Sequence, residues 1–372
     1  MWKGLLLSFL LLIGGCKVSN VYEFQMPSFQ QEMRGRTELL FSEDLPCKIV
    51  NKVEVYNSYL IVVGFFQKNF LAVYDKQSGE LLNEAIFKGR GPNELVFFGN
   101  LDFNKTTGDM TFYDLQTNDI LTCNIEDVMS GSASGFCKTK DNVNAWTKGA
   151  FSLQEGKMLM VHRVSPRGSN PQKRFVIYDG DSVCFSYNEF PILDTTTSLN
   201  FRLYEQSSMS ISPDRTRLVE GVGRNGATLE VFDLGVDEMM LHWVKYLIPV
   251  HPDAGKKRGK KDFIYGFTDV YAAGEGIVTV IGDETQDKIR SICIFDWDGT
   301  PVKRIVLEDD YNPMKACMDD EGNIYAVVRN ESGYYYLARI IETETVPAYS
   351  IPEEKIRRFN VPERVPARYQ EL

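Results

Sequence analysis

The sequence predicts an all-β protein, a six-bladed β-propeller whose blades are four-stranded and antiparallel. Three observations support this fold class. A hairpin pattern recurs six times along the chain, β-branched and aromatic residues run throughout without a long helical period, and an apolar strand near the N-terminus is available to close a ring.

The recurring pattern is a hydrophobic strand, a small polar turn and a second strand rich in Val, Ile, Tyr or Met. Its six turns lie at Ser58, Gly108, Gly156, Arg215, Gly276 and Gly322. The steps between these turns run from 46 to 61 residues. A packed β-sandwich is the alternative all-β fold, but it does not explain such even repetition, whereas blades of a propeller do.

A third strand ending in an acidic turn follows several of the hairpins. Examples are Leu71–Asp75, Phe175–Asp179, Leu229–Asp233 and Ser291–Asp296. The Asp side chain at such a strand end accepts hydrogen bonds from the backbone of the turn. The segments that begin near Leu81 and Pro301 then supply a fourth strand, so each unit contains the four strands of one blade.

The ring needs one strand from the beginning of the chain. The final unit, residues 315–341, shows three clear strands, and an unassigned apolar strand lies at Glu38–Phe41. We expect that early strand to complete the last blade, because joining the two ends of the chain leaves no open sheet edge there.

The N-terminus has the features of an export signal. Lys3 supplies a positive start, and Leu5–Ile13 is an apolar run too short to span a bilayer as a helix. The stretch Leu12–Cys16 resembles the bacterial lipobox, which implies that Cys16 carries a covalent diacylglyceryl group after cleavage. An ordinary signal peptide followed by an incidental cysteine is the alternative.

These features divide the chain into four parts. Residues 1–15 are the lipoprotein signal peptide, residues 16–36 a tether, residues 37–345 the propeller, and residues 346–372 a C-terminal tail on or beyond the propeller. No second apolar segment approaches 18 residues, so the lipid on Cys16 is the expected membrane attachment.

Charge and cysteine content exclude two classes of function. The formal net charge of −10 gives the protein no broad electrostatic reason to bind nucleic acid. With three His and no Cys-x-x-Cys, there is no zinc-type ligand cluster. Six cysteines remain after Cys16, and Cys123 and Cys137 are the closest pair in sequence. Cys184 and Cys293 lie inside apolar strand patterns, so buried thiols are favoured over a disulfide framework.

One motif connects the chain with a known family. Gly89–Glu94 reads Gly-Arg-Gly-Pro-Asn-Glu, and a strand and a Gly-Asp-apolar turn at Gly108 follow it, in the order of an NHL-type repeat. The motif resembles the Gly-x-Gly-Pro-Gly-Glu turn of TolB-like six-bladed propeller lipoproteins of Gram-negative bacteria. Asn93 replaces the second-to-last Gly, and Asn also enters positive φ. The resemblance implies the fold and a cell-envelope location.

The same turn is a candidate binding site. A phosphate-binding loop is the alternative interpretation of Gly89–Gly91, but the Gly-Lys-Ser/Thr ending and the following helix are missing. A connector between blades fits better, and Arg90, Asn93 and Glu94 are expected to contribute to a binding face.

Two other segments supply candidate binding residues. His162 and Arg163 follow a predicted strand, where an imidazole can act as acid, base or ligand. Lys256, Lys257 and Arg258 open the densest basic run of the chain, which could contact anionic headgroups or phosphates; a solvated loop is the simpler interpretation.

No residue is assigned to catalysis or to a metal. No cofactor is expected apart from the lipid, although strand-end Asp and Asn residues leave a central calcium site as an alternative.

The favoured function is a lipid-anchored binding or scaffold module for an envelope protein or a glycan, as a monomer or within a complex. A propeller enzyme, a hydrolase or lyase with its site at the channel mouth, is the alternative, and a structural envelope component is a third. Lys17 follows Cys16, and residues 17–20 contain no acidic cluster. These residues disfavour both retention at the inner membrane and the acidic signals for export to the cell surface. An outer-membrane anchor with the propeller facing the periplasm is therefore preferred over the cell surface.

Overall fold

Strands make up most of the protein in its computed structural model. The structure describes residues 21–23, 27–132, 135–140, 147–163, 173–190, 204, 207–223, 227–248, 266–282, 291–345 and 358–360. Two strands precede the first blade, β1 (Val21–Glu23) and β2 (Gln31–Leu39). No helix in this part of the chain is both long and apolar enough to cross a bilayer.

The first three blades contain β3 (Cys47–Tyr56), β4 (Tyr59–Phe66), β5 (Asn69–Asp75), β6 (Leu81–Lys88), β7 (Glu94–Leu95), β8 (Phe98–Asn104), β9 (Asp109–Asp114), β10 (Asp119–Asn124), β11 (Cys137–Lys140), β12 (Thr147–Ser152), β13 (Met158–His162), β14 (Phe175–Asp179) and β15 (Ser182–Tyr187). The α-helix α1 (Ile125–Ser130) separates β10 from β11, and a 3₁₀ turn (Gln154–Gly156) separates β12 from β13.

The last three blades contain β16 (Ser208–Ile211), β17 (Arg217–Val222), β18 (Ala227–Leu234), β19 (Met239–Ile248), β20 (Phe267–Ala272), β21 (Ile277–Ile281), β22 (Ser291–Phe295), β23 (Pro301–Leu307), β24 (Asn312–Met318), β25 (Ile324–Arg329) and β26 (Tyr335–Thr345). A final strand, β27 (Arg358–Asn360), pairs with β1 in a separate two-stranded sheet.

The predicted fold class is confirmed. The first five blades run outward in sequence order, the sixth ends on the early strand β2, and all six predicted turns join the first strand of a blade to the second. The early strand does close the ring, because β2 pairs antiparallel with β26 as the fourth strand of the last blade. It also pairs parallel with β23, so the fifth and sixth blades form one eight-stranded sheet and the six blades appear as five large sheets.

The closing strand begins earlier than the sequence suggested. The prediction placed it at Glu38–Phe41, after a tether of residues 16–36, whereas β2 starts at Gln31. Residues 31–36 alternate charged and small or apolar side chains and carry no apolar run. Their backbone pairing with β23 and β26 nevertheless fixes them in the sheet, which sequence hydrophobicity alone does not reveal.

Hydrophobic clusters lie between adjacent blades. On β4, Leu60 and Val62 join the cluster shared with the sixth blade, while Ile61 and Val63 join the cluster shared with the second. All four side chains are fully buried because both faces of the sheet are covered. Such a strand therefore reads as a continuous apolar run instead of an alternating one.

Polar side chains connect the innermost strands of neighbouring blades. The Asp102 carboxylate accepts the Ser152 N–H at 2.8 Å, and Asp269 accepts the Ala316 N–H at 3.0 Å. Ser210 Oγ accepts the Ala272 N–H at 3.0 Å. Since these strands do not form a ladder with each other, the side chains satisfy backbone groups that would otherwise stay buried and unpaired.

Candidate functional site

Two of the three predicted site segments lie on one side of the ring. We call this side the upper face and define it as the face where the innermost strands β3, β8, β12, β16, β20 and β24 begin. Because neighbouring strands of a blade alternate in direction, the connections between blades and the turns between second and third strands lie there. The turn 89–95 and the pair His162–Arg163 both belong to this face.

The turn 89–95 is held by its own glutamate. The Glu94 carboxylate accepts the Gly91 N–H at 2.7 Å, and the Gly89 N–H donates to the Leu95 carbonyl at 3.0 Å. A Cβ atom on Gly89 would collide with the Glu94 carboxylate, so a side chain at that position would displace the carboxylate from the Gly91 N–H. The result is a closed turn with Arg90 exposed at its tip and Asn93 half-buried.

A lysine of the second blade fastens this turn from outside. Lys138 on β11 donates to the carbonyl oxygens of Gly91 at 3.1 Å and Glu94 at 2.7 Å. Its Nζ also lies 3.4 Å from Asp119 Oδ2. Sequence reasoning missed Lys138, because nothing near it in the sequence indicates that it reaches the preceding connector.

Asp114 positions the segment that follows the turn. Its buried carboxylate accepts the N–H groups of Val96 at 2.5 Å and Phe97 at 3.3 Å. It also accepts those of Gln116 and Thr117, so one acidic strand end holds both its own turn and the entry to β8. Phe97 is thereby held at the surface with 46% of its area exposed.

Phe97 is the outer end of a series of aromatic rings that runs into the core. Its ring centroid lies 5.4 Å from that of Phe65, which lies 5.5 Å from Phe70. Phe70 stacks on Phe98 at 6.1 Å, and Phe98 contacts the fully buried Phe112 at 6.3 Å. Continuous packing of this kind fixes the position of the exposed ring.

Cations surround these rings. Lys88 donates to the carbonyl of Phe66 and, at 3.3 Å, to that of Gln67, and its Nζ lies 5.4 Å from the Phe70 ring centroid. Lys68 and Arg90 are exposed, and the Lys88 N–H donates to the Lys68 carbonyl at 2.9 Å. We call the group formed by Ile49, Lys68, Phe87, Lys88, Arg90 and Phe97 the blade-one patch.

The backbone beneath the patch is irregular. Ile86 has φ +55°, a left-handed conformation that a β-branched residue rarely adopts. The register on either side of it is unbroken, since Phe87 pairs with Asn69 and Ala85 with Leu71. The Ile86 side chain is buried while the next residue, Phe87, is 39% exposed.

His162 and Arg163 lie on the third blade, at the upper end of β13. His162 is buried, and its Nε2 has no hydrogen-bond partner among the described residues. Burial, with a smaller contribution from Lys173, lowers the pKa of His162 to about 4. At neutral pH the imidazole is uncharged and enclosed, so it does not extend the exposed cationic surface.

A buried ionic cluster lies nearby, between the third and fourth blades. The Arg174 guanidinium contacts the carboxylates of Glu220, at 2.6 Å, and Glu230, and the Tyr204 hydroxyl donates to Glu230 at 2.6 Å. Lys148 Nζ lies 3.2 Å from Glu220. Burial raises the pKa of Glu230; for Glu220, burial is outweighed by Lys148 and Arg174, and its pKa is lowered. The cluster joins the two blades internally.

A small cavity lies at the central channel. Residues of four innermost strands and their turns line it, among them Lys52, Glu54, Asp102 and Ser210. Lys52 and Glu54 form an ion pair at 2.9 Å on its wall, and Arg215 binds Asp102 through both guanidinium nitrogens. In the part of the chain that the structure describes, no three His, Cys, Asp or Glu side chains meet as a metal-ligand group.

Comparison with known proteins agrees with this architecture. The model of the family described as TolB-like 6-blade propeller-like matches residues 28–315. The chain belongs to this TolB-like propeller family. A search of curated proteins gives no match to its sequence.

Two solved structures are similar to the chain at low sequence identity. One is a protein of Bacteroides fragilis described as exported, with 12% identity and a TM-score of 0.49 over 84% of this chain and 96% of the other. Another is the Swd1 (Cps50) β-propeller domain of Myceliophteria thermophila, with 9% identity and a TM-score of 0.44 over 81% and 99%.

The remaining predicted residues have mixed outcomes in this TolB-like propeller. Cys16 and the basic residues Lys256, Lys257 and Arg258 lie outside the described residues. The six cysteines from Cys47 onward are free thiols. Cys293 is buried as expected, but the same expectation for Cys184 is wrong, because it lies on β15, the outermost strand of its blade, and is exposed.

Proposed function

We propose that this TolB-like propeller is a lipid-anchored binding module of the bacterial cell envelope that presents its upper face to an envelope protein or a glycan. The observation that carries the proposal is the blade-one patch. Arg90 lies at the tip of a turn whose polar groups are satisfied by Glu94, Lys138 and Asp114, and Phe97 follows that turn. A preorganised surface of this kind loses little entropy on binding.

The paired charged side chains of the central channel give the binding role indirect support. These charged side chains are engaged with each other or with backbone groups, as in Lys52–Glu54 and Asp102–Arg215. Exposed connectors on the rim therefore offer more recognition surface than the channel.

The attachment to the membrane is part of the proposal. The N-terminal sequence favours lipid modification of Cys16 and an outer-membrane anchor with the ring in the periplasm. The chain joins the ring on the side opposite the upper face. There the Gln30 N–H donates to the Pro301 carbonyl at 3.1 Å and Phe29 packs on Phe295 at 5.5 Å. A lipid at Cys16 would therefore attach through the side opposite the upper face.

Affinity capture with the intact protein tests this function. Envelope extracts would be passed over wild type, over a double variant with Arg90→Glu and Phe97→Ser, and over Met240→Ser, a matched control at an exposed apolar residue of β19 on the fourth blade. A partner retained by wild type and control but lost with the double variant supports the proposal. Equal recovery by all three proteins contradicts it.

The anchor has its own test. Changing Cys16→Ala should move the protein from the membrane fraction to the soluble fraction with an unchanged circular dichroism spectrum, because the ring core begins at Phe29. Membrane association that persists in this variant would contradict a lipid anchor at this residue.

A further inference from the structure

We infer that the blade-one patch binds an acidic segment of a partner protein that also carries aliphatic or aromatic side chains. The inference rests on the proposed function and adds the chemistry of the partner. It combines the charge of the patch, its exposed apolar groups and the side of the ring on which the patch lies.

The charge of the patch is opposite to that of the protein. The chain carries a net charge of −10, yet Lys68, Lys88 and Arg90 are exposed together on this rim, and Lys48 is exposed beside Ile49. Neither Lys68 nor Arg90 forms an ion pair with another described residue. A local cationic surface on an acidic protein steers anionic partners to that place and repels cationic ones.

The acidic groups of the same region do not neutralise these cations. The Glu94 carboxylate accepts the Gly91 N–H, and the Asp114 carboxylate accepts four backbone N–H groups of its surroundings. Both carboxylates therefore serve the backbone of the connector. Lys68 and Arg90 remain available to carboxylates supplied by another molecule.

Apolar surface accompanies the positive charge. Phe97 is 46% exposed, Phe87 39% and Ile49 55%. Aromatic residues next to Arg are typical of the centre of protein interfaces, where apolar side chains of the partner are buried between charged groups. A polyanion without apolar groups, such as a bare phosphate polymer, would leave these side chains in water.

The position of the patch favours a protein over a membrane surface. The chain enters the ring near Phe29, which packs on Phe295 at the lower end of β22, whereas the patch lies on the upper face. A lipid at Cys16 would attach through the lower side of the ring, so the patch lies on the face opposite the attachment, where polypeptide segments of the compartment can reach it.

Fluorescence anisotropy with defined peptides tests the inference on the intact protein in detergent. The probe is a labelled ten-residue peptide of alternating Glu and Leu. Two matched peptides replace Glu with Lys or Leu with Ser. We expect the Glu-Leu peptide to bind, both substituted peptides to bind at least about tenfold more weakly, and added salt to weaken binding.

Variants locate the binding. Arg90→Glu and Lys68→Glu should each raise the Kd about tenfold, and Phe97→Ser should do the same, while Met240→Ser should leave it unchanged. All variants would be compared by thermal melting, and an unchanged midpoint excludes unfolding as the cause. Equal Kd values in wild type and Arg90→Glu, or equal binding of the Lys-Leu peptide, would overturn the inference.

An experiment with lipid vesicles tests whether the patch binds a membrane surface instead of a protein segment. The soluble Cys16→Ala form would be sedimented with phosphatidylglycerol vesicles. Sedimentation that Arg90→Glu abolishes would overturn the inference, because the patch would then be a lipid-binding surface. The peptide could fail to bind while a partner is still captured through Arg90 and Phe97. That result would refute the acidic-segment chemistry and leave the proposed function standing.

Discussion

The guanidinium group of Arg215 binds the carboxylate of Asp102, which lies two blades away. Arg215 occupies the turn between β16 and β17 of the fourth blade, and Asp102 lies on β8 of the second. Arg215 also donates to the Ser152 carbonyl at 3.1 Å, so one side chain connects three blades. Its φ of +63° places it in the left-handed region within this turn.

Breaking this ion pair should destabilise the ring. Arg215→Met leaves the Asp102 carboxylate buried without its cation, and we expect a loss of about 3–5 kcal/mol in the free energy of unfolding. Urea denaturation followed by tryptophan fluorescence measures it. Arg34→Ala is the matched control, since its ion pair with Glu308 is about half exposed and should contribute at most about 1 kcal/mol.

A second variant separates the charge effect from the loss of packing. Combining Arg215→Met with Asp102→Leu removes both charges, and the double variant should be more stable than Arg215→Met alone. A double variant less stable than both single variants would show that the ion pair is not the source of the effect.

Truncation at the N-terminus should reveal the true start of the ring. Removing residues 1–26 should leave the melting temperature nearly unchanged, since the deleted residues precede Phe29 and β2. Removing residues 1–39 deletes the outer strand of the last blade and exposes the edges of β23 and β26. We expect that form to melt at least about 10 °C lower or to aggregate. Equal melting of the two forms would contradict the role of β2.

Gly89→Ala should disturb the turn at the patch. The new methyl group occupies the place of the Glu94 carboxylate, which must give up the Gly91 N–H, and we expect a loss of about 1–2 kcal/mol in stability. Gly274→Ala is the matched control, because its Cβ meets open space. Denaturation of both variants measures the difference, and equal effects would argue against a rigid turn.

His162 should make the protein less stable in acid. Its pKa is about 4 in the folded protein, against 6.5 for an ordinary histidine, so the unfolded chain binds more protons between these values. The stabilisation is present above pH 6.5 and is lost as the pH falls toward 4. We expect about 2 kcal/mol less stability at pH 5 than at pH 7 from this residue.

Replacing the histidine identifies this contribution. His162→Gln should reduce the difference in urea stability between pH 7 and pH 5 by that amount. Met240→Ser, a substitution at an exposed residue of β19 that removes no titratable group, should keep the wild-type difference. An unchanged difference in His162→Gln would assign the acid sensitivity to other groups.

The sequence predicted the repeat but not the contacts between repeats. Turns such as Gly108 and Gly322 follow from local chemistry, because positive φ values favour glycine. The start of β2 at Gln31 could not be predicted, because pairing with the distant β23 and β26 holds a segment of low hydrophobicity. Pairing between strands that lie about 300 residues apart leaves little signal in the local sequence.

The candidate site, like the fold, was predicted where local sequence determines it and missed where distant strands determine it. The glycines and Glu94 identified the turn, since both are needed to close it. Lys138 and the exposed Phe97 were missed, because their roles depend on which strands become neighbours in space. Single hydrophobic residues in a β-rich chain are ordinarily buried, so the exposure of Phe97 has no signal in the sequence.

The position of β2 has a consequence for how the protein is made. The strand emerges early in synthesis, but its antiparallel neighbour β26 lies about 300 residues later. The ring therefore stays open until almost the whole chain has appeared. Until then β2 lacks its antiparallel neighbour, so an incomplete chain exposes a sheet edge that can pair with other chains.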